Sequence, residues 1–232
     1  MGTTIDIAAL DGSGSFATYI AEPEGTPKAA IIVIQEIFGV NPGIRAKADK
    51  WAKEGYLALA PDMFWRFAPG LSLDPDVPEE MNQAFDIRTN FDADKGVQDI
   101  EAVIRVARKR VGGGKVGIVG YCMGGRMAYL SATRTDVDAS VGYYGARIAE
   151  AIREAHAIAN PLMLHFAGQD GFIPPEQLAI IHAALDDNAH VIIHEYPGVD
   201  HGFATETGKR RNDAAAELAD SRTRAFFAEH LA

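Results

Sequence analysis

The sequence has little cysteine, little positive charge and no long apolar run, and each shortage excludes a class of protein. One cysteine among 232 residues cannot form an intramolecular disulfide or a multi-cysteine zinc site. Lysine and arginine number 22 against 32 aspartates and glutamates, and a net charge of −10 argues against binding to a phosphate backbone. The longest apolar stretches, such as residues 29–34, are too short to cross a membrane.

The remaining composition is that of an ordinary folded protein. Hydrophobic residues make up 47% and charged residues 23% of the chain, far from the composition of disordered proteins. The first residues have neither a basic region nor a long apolar stretch, so the start does not resemble a secretory signal. We therefore expect a cytoplasmic protein that acts on a small molecule, as a monomer or small homo-oligomer, without a nucleic-acid or membrane partner.

Apolar strand-like runs alternate with helical patterns along the chain, which predicts an α/β fold. The runs at 29–34, 57–60, 116–119, 161–164 and 191–193 are continuously apolar, as in strands that helices cover on both faces. Between two of them, apolar residues spaced three and four apart over 97–107 predict a helix, and another closes the chain over 213–231. This rhythm predicts a mostly parallel sheet with helices on both faces.

The N-terminal segment and one irregular stretch inside the chain bear on the expected domain organisation. Residues 3–8 and 15–22, separated by a Gly-rich turn, predict an N-terminal antiparallel hairpin. Residues 66–80 read as a loop beside a site, because the α/β rhythm resumes after them. We expect one domain over residues 1–232.

The segment Gly120-Tyr121-Cys122-Met123-Gly124 predicts a reactive thiol. It follows a strand and precedes a helix, which is the setting of the nucleophile elbow, here with cysteine in the usual place of serine. Glycines two residues before and after the nucleophile are expected because the turn leaves no room for side chains. The helix N-terminus favours a thiolate at Cys122. The alternative is a buried cysteine that only packs, as many single cysteines do.

A nucleophile of this kind needs a base and an acid that orients the base. Asp170 and His201 each follow a strand, in loops at the carboxyl edge where open α/β sheets bind ligands. Of the seven histidines, His201 is the one in a Gly-rich loop. Asp200 is a second candidate acid, and Asp170 has the alternative role of a turn residue before glycine.

Glu36 ends the most hydrophobic strand, so its carboxylate is expected at the same edge of the sheet as Cys122. A buried carboxylate needs a partner or a raised pKa. The alternative to a role in the site is an ion pair with a neighbouring arginine such as Arg45.

These motifs together resemble the dienelactone hydrolase family of α/β-hydrolases. They occur in the family's order over nearly the whole chain: QEIFGVN at 35–41, APD at 60–62, GYCMGG at 120–125, VGYYG at 141–145, GQD at 168–170 and DHGF at 200–203. The resemblance implies a triad of Cys122, His201 and Asp170, and a Glu36 that contacts the thiol and helps to deprotonate it. In this superfamily the oxyanion hole is made by two backbone amides, here those of Ile37 and Met123.

Two departures from the family concern the substrate. Dienelactone hydrolases resemble one another in two arginines that hold the substrate carboxylate, and Met81 and Thr205 stand at or near those positions here. Arg88 is a candidate replacement, because Met81, Phe85 and Arg88 share one helix face. The expected pocket is aromatic and less charged, and its candidate substrate-binding residues are Phe38, Trp65, Phe85, Arg88, Tyr144 and Phe203.

The sequence therefore predicts a hydrolase of carboxylic esters or lactones that works through a thioester, with no metal and no organic cofactor. Its substrate is expected to differ from the small anionic dienelactones. Either His201 or Glu36 is the base that first deprotonates Cys122. The alternative function is a thiol sensor or a small-molecule binding protein on the same scaffold.

Overall fold

A computed structural model describes residues 2–206 and 208–232 and builds them around a single sheet. Eight strands form the sheet in the order β1-β2-β4-β3-β5-β6-β7-β8. Their bounds are β1 Thr3–Ala8, β2 Ser15–Ala21, β3 Ala30–Ile34, β4 Leu57–Pro61, β5 Val116–Tyr121, β6 Ala139–Tyr143, β7 Leu162–Ala167 and β8 Val191–Tyr196. The β1-β2 and β2-β4 pairs are antiparallel and the remaining pairs are parallel. The predicted fold class, including the N-terminal hairpin, is confirmed.

Six α-helices flank the sheet. Their bounds are α1 Pro42–Lys53, α2 Pro78–Ile87, α3 Ala93–Arg110, α4 Met123–Arg134, α5 Pro175–Leu185 and α6 Asp213–His230, and two 3-10 helices span Arg88–Asn90 and Ile148–Ala157. Helices α1 and α6 contribute to the core on one face, and α3, α4 and α5 contribute to the core on the other. Asn41, Asp92 and Asn212 cap α1, α3 and α6 with side-chain oxygens that accept free backbone N–H groups.

Two local predictions need correction. The apolar runs do not indicate strand β6, because its sequence ASVGY is interrupted by serine and glycine. Its five residues are nevertheless buried between β5 and β7. The predicted loop at 66–80 is too long, since α2 begins at Pro78.

The described helices include none with both the length and the apolar character needed to cross a bilayer. The cytoplasmic location, the small-molecule partner and the oligomeric state stay predictions, as does the single domain.

Candidate active site

The parallel strands bring the candidate residues to one edge of the sheet. Glu36 lies two residues beyond β3, Cys122 directly follows β5, Asp170 comes three residues after β7, and His201 lies in the loop after β8. Parallel strands end on the same side of a sheet, so the topology alone gathers side chains that are far apart in sequence.

Cys122 has a backbone conformation that only a tight turn imposes. Its φ of 55° and ψ of −112° lie outside the regions that L-residues normally occupy. A Cβ on Gly120 would lie 1.9 Å from the Gly124 carbonyl oxygen, and one on Gly124 would lie 2.4 Å from the Ile34 oxygen. Side chains at either glycine would therefore prevent the elbow from closing. Cys122 itself is partly exposed and lines a cavity, so it is not a buried packing residue.

The imidazole of His201 is held by a buried carboxylate. Its Nδ1 donates a 2.8 Å hydrogen bond to Oδ2 of Asp170, whose side chain is fully buried. The other carboxylate oxygen accepts the Phe172 amide at 2.8 Å, which fixes the acid in turn. Asp200, the second candidate, accepts the backbone amide of His201 at 2.6 Å instead of its ring. The structure thus pairs the ring of His201 with Asp170.

The charges around the ring favour its protonated form. Burial lowers the pKa of His201, but the negative charges of Cys122 and Asp170 outweigh it and raise the pKa from 6.5 to about 10. Among the described residues, Nε2 of His201 is buried and has no hydrogen-bond partner. Tyr144 and Phe172 pack edge-on against the ring, with centroids 4.9 and 4.8 Å away. These contacts leave the ring one nitrogen with which to exchange a proton.

The amides of Ile37 and Met123 are free to donate. In the described part of the chain neither donates to a protein acceptor, whereas the neighbouring Gly124 amide binds the Gln35 carbonyl oxygen at 3.1 Å. Met123 is the first residue of α4, where backbone N–H groups have no partner within the helix. Both residues also line cavities that reach Cys122.

Glu36 has an arginine as its charged neighbour. It is buried, makes no hydrogen bond to Cys122 within the described residues, and has one carboxylate oxygen without a partner. Its other oxygen lies 3.8 Å from a guanidinium nitrogen of Arg210, and Arg45 instead donates to the Val40 carbonyl. Glu36 lines a separate cavity with Asn41 and Thr205. The expected ion pair is therefore with Arg210, from the loop after His201.

The cavity that contains both Cys122 and His201, here called the histidine lobe, has a volume of about 330 Å³. Three of the candidate substrate-binding residues, Phe38, Phe85 and Arg88, lie in its wall, and so does Met81. Its remaining lining residues are Ile37, Ala146, Phe172, Asp200, Lys209 and Arg210.

Trp65, Tyr144 and Phe203 do not line the histidine lobe, which corrects the predicted pocket. Trp65 stacks on Phe16 and donates to Asp99 at 2.8 Å, near the N-terminal hairpin. Tyr144 and Phe203 are almost completely buried and pack edge-on against each other behind His201. Tyr144 packs against the ring of His201, and Phe203 packs against Tyr144.

Phe172, Lys209 and Arg210 line the histidine lobe although no motif in the sequence indicates them as site residues. The expectation of a less charged pocket is wrong, because Lys209 and Arg210 join Arg88 in the wall. Gly202 makes this possible, since a Cβ there would lie 2.9 Å from the guanidinium of Arg210. The available signals were the Lys-Arg-Arg run that begins eight residues after His201 and the aromatic residue two positions after Asp170.

Comparison with known proteins assigns the chain to a family. The model of the dienelactone hydrolase family matches residues 16–231. The chain belongs to the dienelactone hydrolase family. It is therefore an ester or lactone hydrolase of the α/β-hydrolase superfamily, as predicted.

Individual dienelactone hydrolase relatives cover the chain almost completely. An Azospirillum brasilense protein named "Putative carboxymethylenebutenolidase" is 43% identical, over 99% of each chain. The carboxymethylenebutenolidase of Pseudomonas putida is 36% identical, over 97% of this chain and 95% of its own. A Klebsiella pneumoniae structure described as a "Putative Dienelactone Hydrolase" superposes with a TM-score of 0.86 at 26% identity, covering 99% of this chain and 98% of its own.

Proposed function

We propose that the chain hydrolyses carboxylic esters or lactones through a cysteine thioester. The hydrogen bond from His201 to the buried Asp170 carries the proposal, because it leaves the second ring nitrogen unpartnered beside Cys122. A nucleophile next to a base that a third group orients is the arrangement that covalent acyl transfer requires.

The reaction begins when His201 takes the proton of the Cys122 thiol. The thiolate attacks the acyl carbon, and the Ile37 and Met123 amides stabilise the resulting oxyanion. The imidazolium then gives its proton to the leaving oxygen as the C–O bond breaks, and the acyl group remains on Cys122 as a thioester. His201 next takes a proton from a water molecule, whose oxygen attacks the thioester carbon. The C–S bond then breaks, the acid leaves, and the proton on His201 returns to the sulfur of Cys122.

We assign the first deprotonation to His201 rather than to Glu36. The negative charge of Cys122 is the main factor that raises the pKa of His201, which indicates that the two groups are close. Glu36 instead pairs with Arg210 and faces another cavity.

The substrate we propose differs from the small anionic dienelactones. Met81 lies in the wall of the histidine lobe where the family resemblance places a carboxylate-binding arginine. Arg88, Lys209 and Arg210 supply positive charge from other points of the wall, so an anionic group of the substrate would be held at another place. Arg210 also has Glu36 as a competing partner.

Hydrolysis of 4-nitrophenyl acetate by the wild type and the Cys122→Ala variant tests the reaction. We expect the variant to lose at least about 10³-fold in rate, since the covalent route is lost and only the contribution of the binding and oxyanion groups remains. Mass spectrometry of the quenched wild type should show one acetyl group on Cys122. A variant that keeps most of the rate, or acetylation elsewhere only, would refute the mechanism. Saturable ligand binding or peroxide reactivity without turnover would favour the sensor or binding alternative.

A further inference from the structure

A second cavity meets the histidine lobe at Cys122. It has a volume of about 400 Å³, and we call it the arginine lobe. The two lobes share Ile37, Arg88, Cys122 and Ala146. The other residues of the arginine lobe are Thr89, Phe91, Met123, Arg126, Met127 and Arg147. His201 lines the histidine lobe and does not line the arginine lobe.

The arginine lobe has an excess of positive charge. Arg88, Arg126 and Arg147 line it, and the carboxylate near two of them belongs to Glu150. Glu150 binds Arg147 at 2.7 Å and reaches Arg126 only at 3.7 Å. Three guanidinium groups against this one carboxylate leave a formal charge of +2 in the lobe.

Among the described residues, Arg126 is the member of this group with a buried side-chain nitrogen that has no hydrogen-bond partner. It lies in the first turn of α4, four residues after Cys122, and its Nε is buried without a partner among the described residues. Burial lowers the pKa of Arg126, and the charge of Arg147 lowers it further. A partly buried guanidinium that is repelled by a neighbouring one is stabilised by a bound anion, which supplies both charge and acceptors.

The position of His201 decides which part of an ester occupies each lobe. His201 must reach the leaving oxygen to protonate it, so the alcohol part belongs in the lobe that His201 lines. The acyl carbon is bonded to Cys122, which both lobes share, and Met123, whose amide is expected to bind the oxyanion, lines the arginine lobe. The acyl chain therefore extends into the arginine lobe.

We propose that the arginine lobe binds an acyl group that carries a free carboxylate, so that preferred substrates are monoesters of dicarboxylic acids. This inference rests on the proposed function, because the orientation of the acyl group follows from the proton transfer by His201. It places an anion on the acyl side of the scissile bond, in contact with Arg126.

Two esters with the same leaving group test the proposal. Mono-4-nitrophenyl glutarate and 4-nitrophenyl valerate have acyl chains of equal length, and only the first ends in a carboxylate. We expect the wild type to prefer the glutarate in kcat/KM. Arg126→Met should lower the ratio of glutarate to valerate by about 10- to 100-fold, the usual effect of losing a charged hydrogen-bond partner. Arg126→Lys, which keeps the charge, should restore part of the ratio.

Arg153→Met is the matched control, because Arg153 is exposed on the second 3-10 helix and lies outside both lobes. We expect it to keep the wild-type ratio. An equal fall in the control would overturn the proposal, since it would show an effect of net charge alone. An unchanged ratio in Arg126→Met would do the same.

Inhibition of the wild type provides a measurement that needs no variant. Free glutarate should inhibit 4-nitrophenyl valerate hydrolysis competitively and more strongly than valerate does, and equal inhibition would overturn the proposal. Failure of the underlying function looks different, because neither ester would then be hydrolysed in a Cys122-dependent way. Failure of the inference alone leaves both esters hydrolysed with no dependence on Arg126.

Discussion

The reacting half of the site and its binding half are built in different ways. Cys122, Asp170 and His201 lie at or just beyond strand ends and are fixed by backbone strain, glycine contacts and a buried hydrogen bond. The two lobes are lined by residues from α2, the loop after His201 and the segment around Arg147, many of them partly exposed. Local sequence therefore determines the chemistry, whereas tertiary packing of exposed segments determines what is bound.

After the nucleophile itself, the largest effect expected in the reacting half comes from the acid. Asp170→Asn should lower kcat by about 10³- to 10⁴-fold, because an amide cannot hold the imidazole in the required tautomer or stabilise its charge. Steady-state hydrolysis of 4-nitrophenyl acetate measures the loss. Asp200→Asn is the matched control and should lose less than about 10-fold, since Asp200 binds the His201 backbone. Equal losses in the two variants would contradict the assignment of Asp170, rather than Asp200, as the acid that orients His201.

The second prediction concerns the titration of His201. With a folded pKa near 10 against an ordinary 6.5, the protonated ring stabilises the fold fully below pH 6.5. That contribution should disappear as the pH rises through about 10. Histidine NMR titration should show His201 protonated until near that pH in the wild type and deprotonating at lower pH in Cys122→Ala. Titration of wild-type His201 near 6.5 would contradict the interaction with Cys122.

Glu36 lies at the boundary of the two halves, and its substitution should have a smaller effect. Glu36→Gln keeps the shape of the side chain but removes the charge that faces Arg210 at 3.8 Å. Since Glu36 makes no hydrogen bond to Cys122 within the described residues and pairs with Arg210, we expect kcat/KM for 4-nitrophenyl acetate to fall by less than about 10-fold. A loss as large as that of Asp170→Asn would instead assign the first deprotonation to Glu36.

The smallest effect is expected at Trp65, which the sequence placed in the pocket and the structure places outside it. Trp65→Phe removes the 2.8 Å hydrogen bond to Asp99 and should lower the free energy of unfolding by about 1 kcal/mol. Urea unfolding measures that change. The kinetic constants for 4-nitrophenyl acetate should stay within about twofold of the wild type. A larger change would show that Trp65 contributes to the active site.

The reacting half of the site could be predicted from the sequence better than the binding half. The elbow at Cys122 and the Gly-rich loop at His201 are local patterns, so their positions at the sheet edge could be predicted. Strand β6 could not, because its burial depends on neighbours on both sides and its five residues, which include serine and glycine, do not form a continuous apolar run. Lys209 and Arg210 could not be placed either, since an exposed basic run gives no sign of the direction in which it folds.

The order of the strands has a consequence for how the enzyme would fail on heating. The cysteine follows β5, which is paired on both sides, whereas β8, which leads to His201, is paired only with β7. Edge elements open at lower free energy than central ones. Partial fraying of β8 would move the imidazole of His201 away from Cys122, whereas Cys122 would stay in its strained turn. Thermal inactivation would then precede global melting and leave a protein that is still largely folded but inert.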